Sequence, residues 1–581
     1  MATRLASLER PWMQFFSEEA KAATIPEETI YQTLLRVNQN YPSDVAITFF
    51  DRKISYGELL NGIDRAAASF AALGVHEGDS VAIASVSIPE VIYSFYALNK
   101  LGATAVMLDP RRTGEEMKAF TDKSGCRIFM LLDVFYDQLK DFVEAEQFDK
   151  TVILSVDTSM PFIVRTLKKL KMPAPKITYT DTLIPYSEFE KIGQGNVTET
   201  VGFRPQQPVA IALTGGTTGF PKGVVLCNEG FNAIALSFKH CGVTYDRGEM
   251  FMDIIPCFAS YGIVASLHMP FALGLNILLI PKFEKEKVGH YFKKYKPEHT
   301  LMVPAHYEIL MQSKEMEGFD LSFFKTAGSG GDTMNVGLET KLNNWLKAHG
   351  CKYPLSQGYG MSEVSSAACC YCAGNFKSLS VGYPLLTNTI AIFRPDSTEE
   401  LPYGEEGEIC MTGPTNMIAY MDEPEETEKV MIRHPDGKIW VHSGDIGYMD
   451  EDGFITIKGR IKRMITSFEG HKIFPVYLES MIGKHPAVAS CAVIGVADPD
   501  HAQGQIPIAV VQLAPDADET MARASLQSLF NEIEVRSRPA GLEIIPEMPH
   551  IGMGKIDYAG LVDMLTEQVK IHPEDTQASI A

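Results

Sequence analysis

The sequence predicts an α/β protein with a large N-terminal domain of doubly wound sheets, a β-rich subdomain, and a small α+β C-terminal domain. Residues 28–200 alternate amphipathic helical patterns with short apolar runs, which is how parallel strands joined by crossover helices read. The alternation continues from 202 to about 400, yields to a strand-rich stretch from Gly404-Glu405-Glu406-Gly407-Glu408-Ile409 to about 458, and resumes beyond Val476. At 581 residues the chain is also too long for a single core.

Taken in order, Ser55-Tyr56-Gly57-Glu58-Leu59 leads into an amphipathic helix through Ala72, and Asp79-Ser80 introduces a strand, Val81 to Ala84. Pro89 opens a helix that ends at Leu101-Gly102, and Ala103 to Leu108 is the next strand. Pro161 to Lys171 mixes basic with apolar residues; a short surface helix covering its own domain accounts for it, and the other reading is weak peripheral contact with an anionic membrane. Tyr261 to Pro281 is apolar enough to suggest a membrane span, but it contains His268, Pro270, Gly274 and Asn276. A buried helix, a glycine turn and a short strand from Ile277 to Ile280 fit it better, and no transmembrane segment is expected. The first thirty residues lack the uninterrupted apolar run of a signal peptide. From Thr566 the sequence is polar with Pro573, and a flexible tail over 566–581 is expected.

Hydrophobic residues at 45% and charged residues at 22% are ordinary globular values. A net charge of −21, from 52 basic and 73 acidic residues, argues against a nucleic-acid partner. Ten cysteines in a chain of this length do not form a disulfide framework; they read as reduced thiols, and a cytoplasmic location is expected. For Cys369, Cys370 and Cys372, apolar packing is favoured over a metal site, because no second Cys/His group stands at zinc-finger spacing.

Chemistry concentrates first in Leu213 to Gly223. Apolar runs on both sides, Val209 to Leu213 and Val224 to Leu226, read as strands, so the loop joins strand to strand. Within it Gly215, Gly216, Gly219 and Gly223 free the backbone to aim N–H groups at one point. Thr214, Thr217 and Thr218 add hydroxyl donors and Lys222 a full charge: a cradle for polyphosphate. It is not a Walker A loop, because Pro221 precedes Lys222 and β-branched residues follow. A hairpin without a ligand needs only one or two glycines and no lysine.

Three further stretches follow. In Gln357-Gly358-Tyr359-Gly360-Met361-Ser362-Glu363 the glycine pair lets the backbone pass close to a flat ligand, Tyr359 can stack on a base, and Ser362 and Glu363 set a hydroxyl and a carboxylate beside phosphates. In Trp440 to Gly447, Asp445 on a glycine-flanked turn can accept from the vicinal hydroxyls of a ribose, and Asp452-Gly453 turns the chain into a strand, Phe454 to Ile457. The last, Met548 to Asp557, carries Lys555 on a glycine-rich loop, which in isolation reads as solvated.

The 213–223 loop closely resembles the phosphate-binding motif of the adenylate-forming superfamily, which includes acyl-CoA synthetases, luciferases and peptide-synthetase adenylation domains. The other three stretches resemble that family's later motifs in its order, from 214 to 555, and Tyr56–Leu59 and Leu98–Ala103 resemble its packing motifs. The resemblance implies that Tyr359 stacks on adenine, Ser362 contacts the α-phosphate, Glu363 holds Mg²⁺, and Asp445 and Arg460 hold the ribose. It implies a large domain over 1–459 and a mobile one over 460–565, with a hinge at 460–463 and Lys462 at its pivot. Gly470 then marks the backbone that approaches the pantetheine thiol of coenzyme A, and Lys555 reaches both the substrate carboxylate and the α-phosphate. Ser362 stands where threonine is usual, and Ile551 and Met553 replace hydroxyl residues before Lys555.

By this resemblance the chain takes ATP, Mg²⁺, coenzyme A and a small carboxylic acid, with Lys555, Glu363 and Lys222 as catalytic residues. Transfer of the carboxylate to the α-phosphorus expels pyrophosphate and makes AMP the leaving group for the thiol. The acyl wall is expected from Phe258 and Ala259, where Ala259 leaves empty the volume a ring usually fills, and from Ser329, Gly330 and Gly331. With no charged anchor from Pro256 to Tyr261, a medium to long fatty acid or a bulky apolar acid suits it. The rivals are an acyl-AMP ligase that loads a carrier protein or forms a β-lactone, and a nucleotide-binding module without turnover.

Overall fold

Two parallel sheets, one antiparallel sheet and a separate small lobe make up the computed structural model, which describes residues 4–146, 148–162, 164–166, 175–214, 221–334, 336–371, 374–501, 503–551 and 555–571. The first sheet has eight strands. Its parallel body runs from Pro208–Leu213 through Thr104–Leu108, Ser80–Ala84, Ile128–Leu132 and Lys150–Leu154 to Leu183–Pro185, and Gly223–Cys227 adds an antiparallel strand beside Pro208–Leu213. The second has nine strands, with Met250–Asp253, His299–Met302 and Thr326–Ser329 parallel at its centre and Ser356–Tyr359 beyond them. The third is antiparallel and includes Gly407–Thr412, Ile439–Met449 and Ile455–Arg460.

The helices form where the sequence supplies both ends. Ser55 caps Tyr56–Ala72 in a reciprocal box with Glu58, and Leu59, Ile63, Ala66 and Phe70 fall on one face at helical spacing and are buried. Helix Pro89–Leu101 starts on proline and stops on Gly102, whose φ of 76° closes a left-handed cap. Every residue from Pro89 to Lys100 is buried, so this helix lies inside the large lobe. The apolar stretch after Ser260 is a π-helical turn, Tyr261–His268, continued by Met269–Ala272, a turn at Gly274 with φ of 75°, and strand Asn276–Leu279. His268 is buried between the Tyr96 hydroxyl at 3.0 Å and Asn232 at 3.1 Å, and burial holds it down at about 3, so it is neutral. Among the described residues no helix is long and apolar enough to cross a membrane.

Beyond 463 the packing is separate. Two apolar clusters, one around Ile465, Leu478 and Leu526 and one around Ile494, Met548 and Leu561, draw only on this part of the chain. They cover a three-stranded sheet of Val488–Ala497, Gln505–Leu513 and Gly541–Ile545. The flexible tail expected from 566 is corrected in part, because helix Tyr558–Ile571 runs six residues into it. Buried Leu561 and Leu565 anchor that helix at i, i+4, and Val569 continues the spacing in sequence.

Nine cysteines are described and all are free thiols. Cys369 and Cys370 sit buried in a short strand, as packing predicts, and Cys372 lies outside the described residues. Burial pushes Cys257 up to about 12.

Glu90, in the first turn of the internal helix, is 2% exposed; Ser159 donates to one carboxyl oxygen at 2.6 Å and the other has no partner. Burial pushes it from 4.5 up to about 7. The folded chain therefore holds this proton more tightly than the unfolded chain, a contribution fully present below 4.5 and lost as pH rises through about 7. Glu90→Gln should flatten that dependence and be the more stable form at pH 8, by roughly 2–3 kcal/mol, as read from thermal unfolding over a pH series.

Candidate active site

The predicted hairpin exists. Pro208–Leu213 and Gly223–Cys227 pair antiparallel as far as Leu213 and Gly223. One residue further the neck is closed twice: the Thr214 N–H donates to the Lys222 carbonyl at 2.9 Å, and the Lys222 N–H donates to the Thr214 hydroxyl at 3.0 Å. Gly215, Gly216, Thr217, Thr218 and Gly219 lie outside the described residues. The Lys222 ammonium pairs with Glu426 and lies 4.9 Å from the centre of the Tyr420 ring.

Tyr359 ends strand Ser356–Tyr359, and its hydroxyl donates to Asp445 Oδ2 at 2.6 Å. Asp445 faces Arg460 across the hairpin formed by Ile439–Met449 and Ile455–Arg460, with Nε 2.9 Å from Oδ1. Burial pushes the Asp445 carboxyl up, and Arg460 and the Tyr359 hydroxyl oppose that. Burial also lifts the Tyr359 phenol far above its usual value, which keeps it a proton donor.

The two glycines of this motif have a different role from the one the sequence suggests. A Cβ on Gly360 would lie 1.9 Å from the Ser366 carbonyl oxygen, and one on Gly358 would lie 3.3 Å from the Cys369 carbonyl. The protein's own backbone fills that space. Ser362 and Glu363 follow in a 3₁₀ turn; the Ser362 hydroxyl is 3.0 Å from that of Ser260, which ties the motif to the segment after Phe258. Glu363 is buried and accepts from the Tyr420 hydroxyl at 2.6 Å. Among the described residues it has no lysine or arginine within ion-pair distance.

All of these face one cavity of about 2010 Å³. Phe258, Ala259, Ser329, Gly330 and Gly331 line it, with Tyr261 between them. The segment around Phe258 is uncharged, but Arg111, paired with Asp109 at 2.6 Å, lies 5.7 Å from the Phe258 ring centre. Those charges come from the loop after Thr104–Leu108, and nothing in the sequence near Phe258 announces them. The small lobe closes the cavity with Lys462, Tyr477, His550, Ile556 and Tyr558. Lys555 is on the short strand Lys555–Ile556, paired with Ile551, and its side chain is outside the described residues. Gly470, with φ of 80°, turns the chain between two other strands and is not on the cavity wall.

Comparison with known proteins agrees with this geometry. The model of the AMP-binding enzyme family matches residues 34–421, and that of the AMP-binding enzyme C-terminal domain matches 477–555. The chain belongs to the AMP-binding enzyme family. It is an adenylate-forming enzyme of the AMP-forming acid–thiol ligase class. The long-chain-fatty-acid–CoA ligase of Bacillus subtilis (strain 168) is 28% identical over 568 residues, covering 96% of this chain and 99% of that protein. Probable 4-coumarate–CoA ligase 1 of Dictyostelium discoideum is 26% identical over 558 residues, covering 94% and 97%. Among solved structures, the anthranilate CoA ligase AuaEII in complex with anthranoyl-AMP superposes with a TM-score of 0.80 at 20% identity, covering 95% of this chain and 99% of that one. ATP-bound MatB from Rhodopseudomonas palustris gives 0.78 at 22%, covering 92% and 98%.

Within this AMP-binding enzyme the sequence reading missed Tyr420, whose ring takes Lys222 and whose hydroxyl takes Glu363, and Glu426, which holds Lys222. Tyr420 lies 57 residues from Glu363, on a two-residue strand with no motif around it. Gly360→Ala should lower the melting temperature and weaken AMP binding at least about tenfold by calorimetry. Gly330→Ala should leave both nearly unchanged, because its Cβ would meet nothing closer than 3.4 Å.

Proposed function

We propose that this chain is an ATP-dependent acyl-CoA ligase: it converts a carboxylic acid to acyl-AMP with release of pyrophosphate, then passes the acyl group to the thiol of coenzyme A. The supporting observation is that the Thr214–Lys222 neck, Glu363, the Asp445–Arg460 pair and the Phe258–Gly331 wall open onto one cavity.

Each residue then has a task. Asp445 has lone pairs to spare after accepting from Tyr359 and Arg460, and it accepts from the ribose hydroxyls. Tyr359, steadied at its hydroxyl, offers its ring to adenine. Lys222 leaves Glu426 for the polyphosphate, an exchange of one anion for another at a half-buried ion pair. Glu363 fits a hard divalent cation, being a buried carboxylate with no cationic side chain paired to it among the described residues. Mg²⁺ bound there would supply positive charge to the phosphate oxygens. Lys555, carried by the small domain, meets the charge that builds up between carboxylate and α-phosphate in the in-line transition state. Residues 460–463 serve as the hinge between the domains 1–459 and 460–565, and turning about Lys462 replaces Lys555 by the Gly470 turn when the thiol attacks.

The acid is a medium to long fatty acid or a bulky apolar acid. The small side chains of Ala259, Gly330 and Gly331 favour it, as does the likeness to a protein named long-chain-fatty-acid–CoA ligase. The charge of Arg111 beside the Phe258 ring is offset by its pairing with Asp109.

A panel of carboxylic acids assayed for pyrophosphate release, with and without coenzyme A, should single out apolar acids and give thioester only when coenzyme A is present. Lys555→Ala should lower acyl-AMP formation at least about a hundredfold while ATP binding stays within twofold. Ala259→Phe should lower kcat/KM for the preferred acid about tenfold and spare shorter acids; a uniform loss across chain lengths would remove Ala259 from the acyl wall.

A further inference from the structure

Two ion pairs bracket the crossing between the lobes. Arg460 is held to the large lobe by Asp445 at 2.9 Å. Three residues on, Arg463 is held to the small lobe in two ways: one guanidinium nitrogen lies 2.5 Å from Glu479 Oε1, and the guanidinium carbon lies 3.5 Å from the centre of the Tyr558 ring. That contact is flat-on and mostly shielded from water, since the Arg463 side chain is only 22% exposed and Glu479 12%.

Glu479 extends the tie. It stands on helix Pro475–Ile482, and its Oε1 also accepts the Val493 N–H at 2.9 Å from strand Val488–Ala497. Arg463 is thereby joined to helix Pro475–Ile482, to the Tyr558 ring and, through Glu479, to the sheet of the small lobe. Between Arg460 and Arg463 only Ile461 and Lys462 remain, and among the described residues neither makes an ion pair or a side-chain hydrogen bond.

Tyr558 opens helix Tyr558–Ile571 directly behind the strand that carries Lys555. The connection is short and pinned: the Asp557 N–H donates to the Pro549 carbonyl at 2.9 Å, and Asp557 accepts the Gly560 N–H at 3.0 Å. A displacement of Arg463 is therefore passed to Lys555 through three residues that have little freedom of their own. Tyr558 also feels Asp332 of the large lobe, which adds to the upward push that burial gives its phenol.

We propose that Arg463 is a positioning residue for adenylation: clamped by Glu479 and laid flat on Tyr558, it makes the start of the small domain rigid with the strand bearing Lys555, so that rotation is confined to Ile461–Lys462 and carries Lys555 as one body. This rests on the reading of Lys555 given above. The physical gain is orientation, because a lever that flexes beyond its pivot spreads the lysine over many positions and lowers its effective concentration at the α-phosphate.

The test uses the full chain with Arg463→Lys, Arg463→Ala, Tyr558→Phe and Tyr558→Ala. Acid-dependent ATP–pyrophosphate exchange is measured beside thioester formation from supplied acyl adenylate and coenzyme A. Spin labels at Val197→Cys and Met521→Cys, both exposed and one on each lobe, report the distance distribution between the domains. Arg463→Ala, Arg463→Lys and Tyr558→Ala should lower exchange kcat about tenfold, leave KM for ATP and acid within about twofold, and broaden the distribution. Tyr558→Phe keeps the ring face and should behave as the parent does. Rescue by lysine, a rise in KM in place of a fall in kcat, equal loss in both half-reactions, or an unchanged distance distribution would overturn the proposal. Lys555→Ala with Arg463 intact separates the two ideas: retained exchange would remove the role of Lys555, and the label distances would still decide the role of Arg463.

Discussion

The buried carboxylate of Asp445 is the joint of this site. A charge that is 4% exposed persists only with partners, and it has two, a neutral hydroxyl from Tyr359 and a cation from Arg460. Those partners come from different places: the tyrosine from the end of a strand of the nine-stranded sheet, the arginine from the last strand before the small lobe. One carboxylate thereby fixes where the Tyr359 ring stands and where the last strand of the large lobe ends. Losing Arg460 would leave that charge without a counter-ion in a low-dielectric wall.

Around that joint, charge alternates on a short scale. Lys222 lies between Glu426 and the face of Tyr420, and Tyr420 bonds Glu363. A molecule of net charge −21 repels polyanions at a distance, so a triphosphate has to be met by a few cations set close together inside the cavity. Lys222, Arg460 and Lys462 line that cavity.

Much of the fold was legible because it is local. The helix from Tyr56 to Ala72 carries its own capping box, the helix from Pro89 to Gly102 its own proline and glycine, and the hairpin around 213–223 its own flanking apolar runs. The interrupted apolar stretch after Tyr261 was readable for the same reason, since Gly274 marks the break. Contacts across the chain were not legible. Tyr420 and Glu426 sit in the site by virtue of an antiparallel edge strand beside Gly223–Cys227 and a seven-residue helix after it, and Arg111 arrives from another crossover altogether. Gly360 shows a right residue with a wrong reason: the turn needs glycine because the Ser366 carbonyl occupies the space, which no local pattern discloses. The helical residues 566–571 were missed because their polar composition masks the spacing begun by Leu561 and Leu565.

The buried thiols acquire a meaning under the proposed chemistry. An acyl adenylate is an electrophile awaiting a sulfur nucleophile, and Cys257 and Cys369 stand beside the chamber where it would form, Cys369 on its wall. Burial drives Cys257 up to about 12 and Cys369 in the same direction, so both stay protonated at neutral pH. A protonated thiol is a poor competitor for an incoming thiolate. These two thiols are thus poor targets for acylation, and they leave the activated group to the sulfur that arrives from solution.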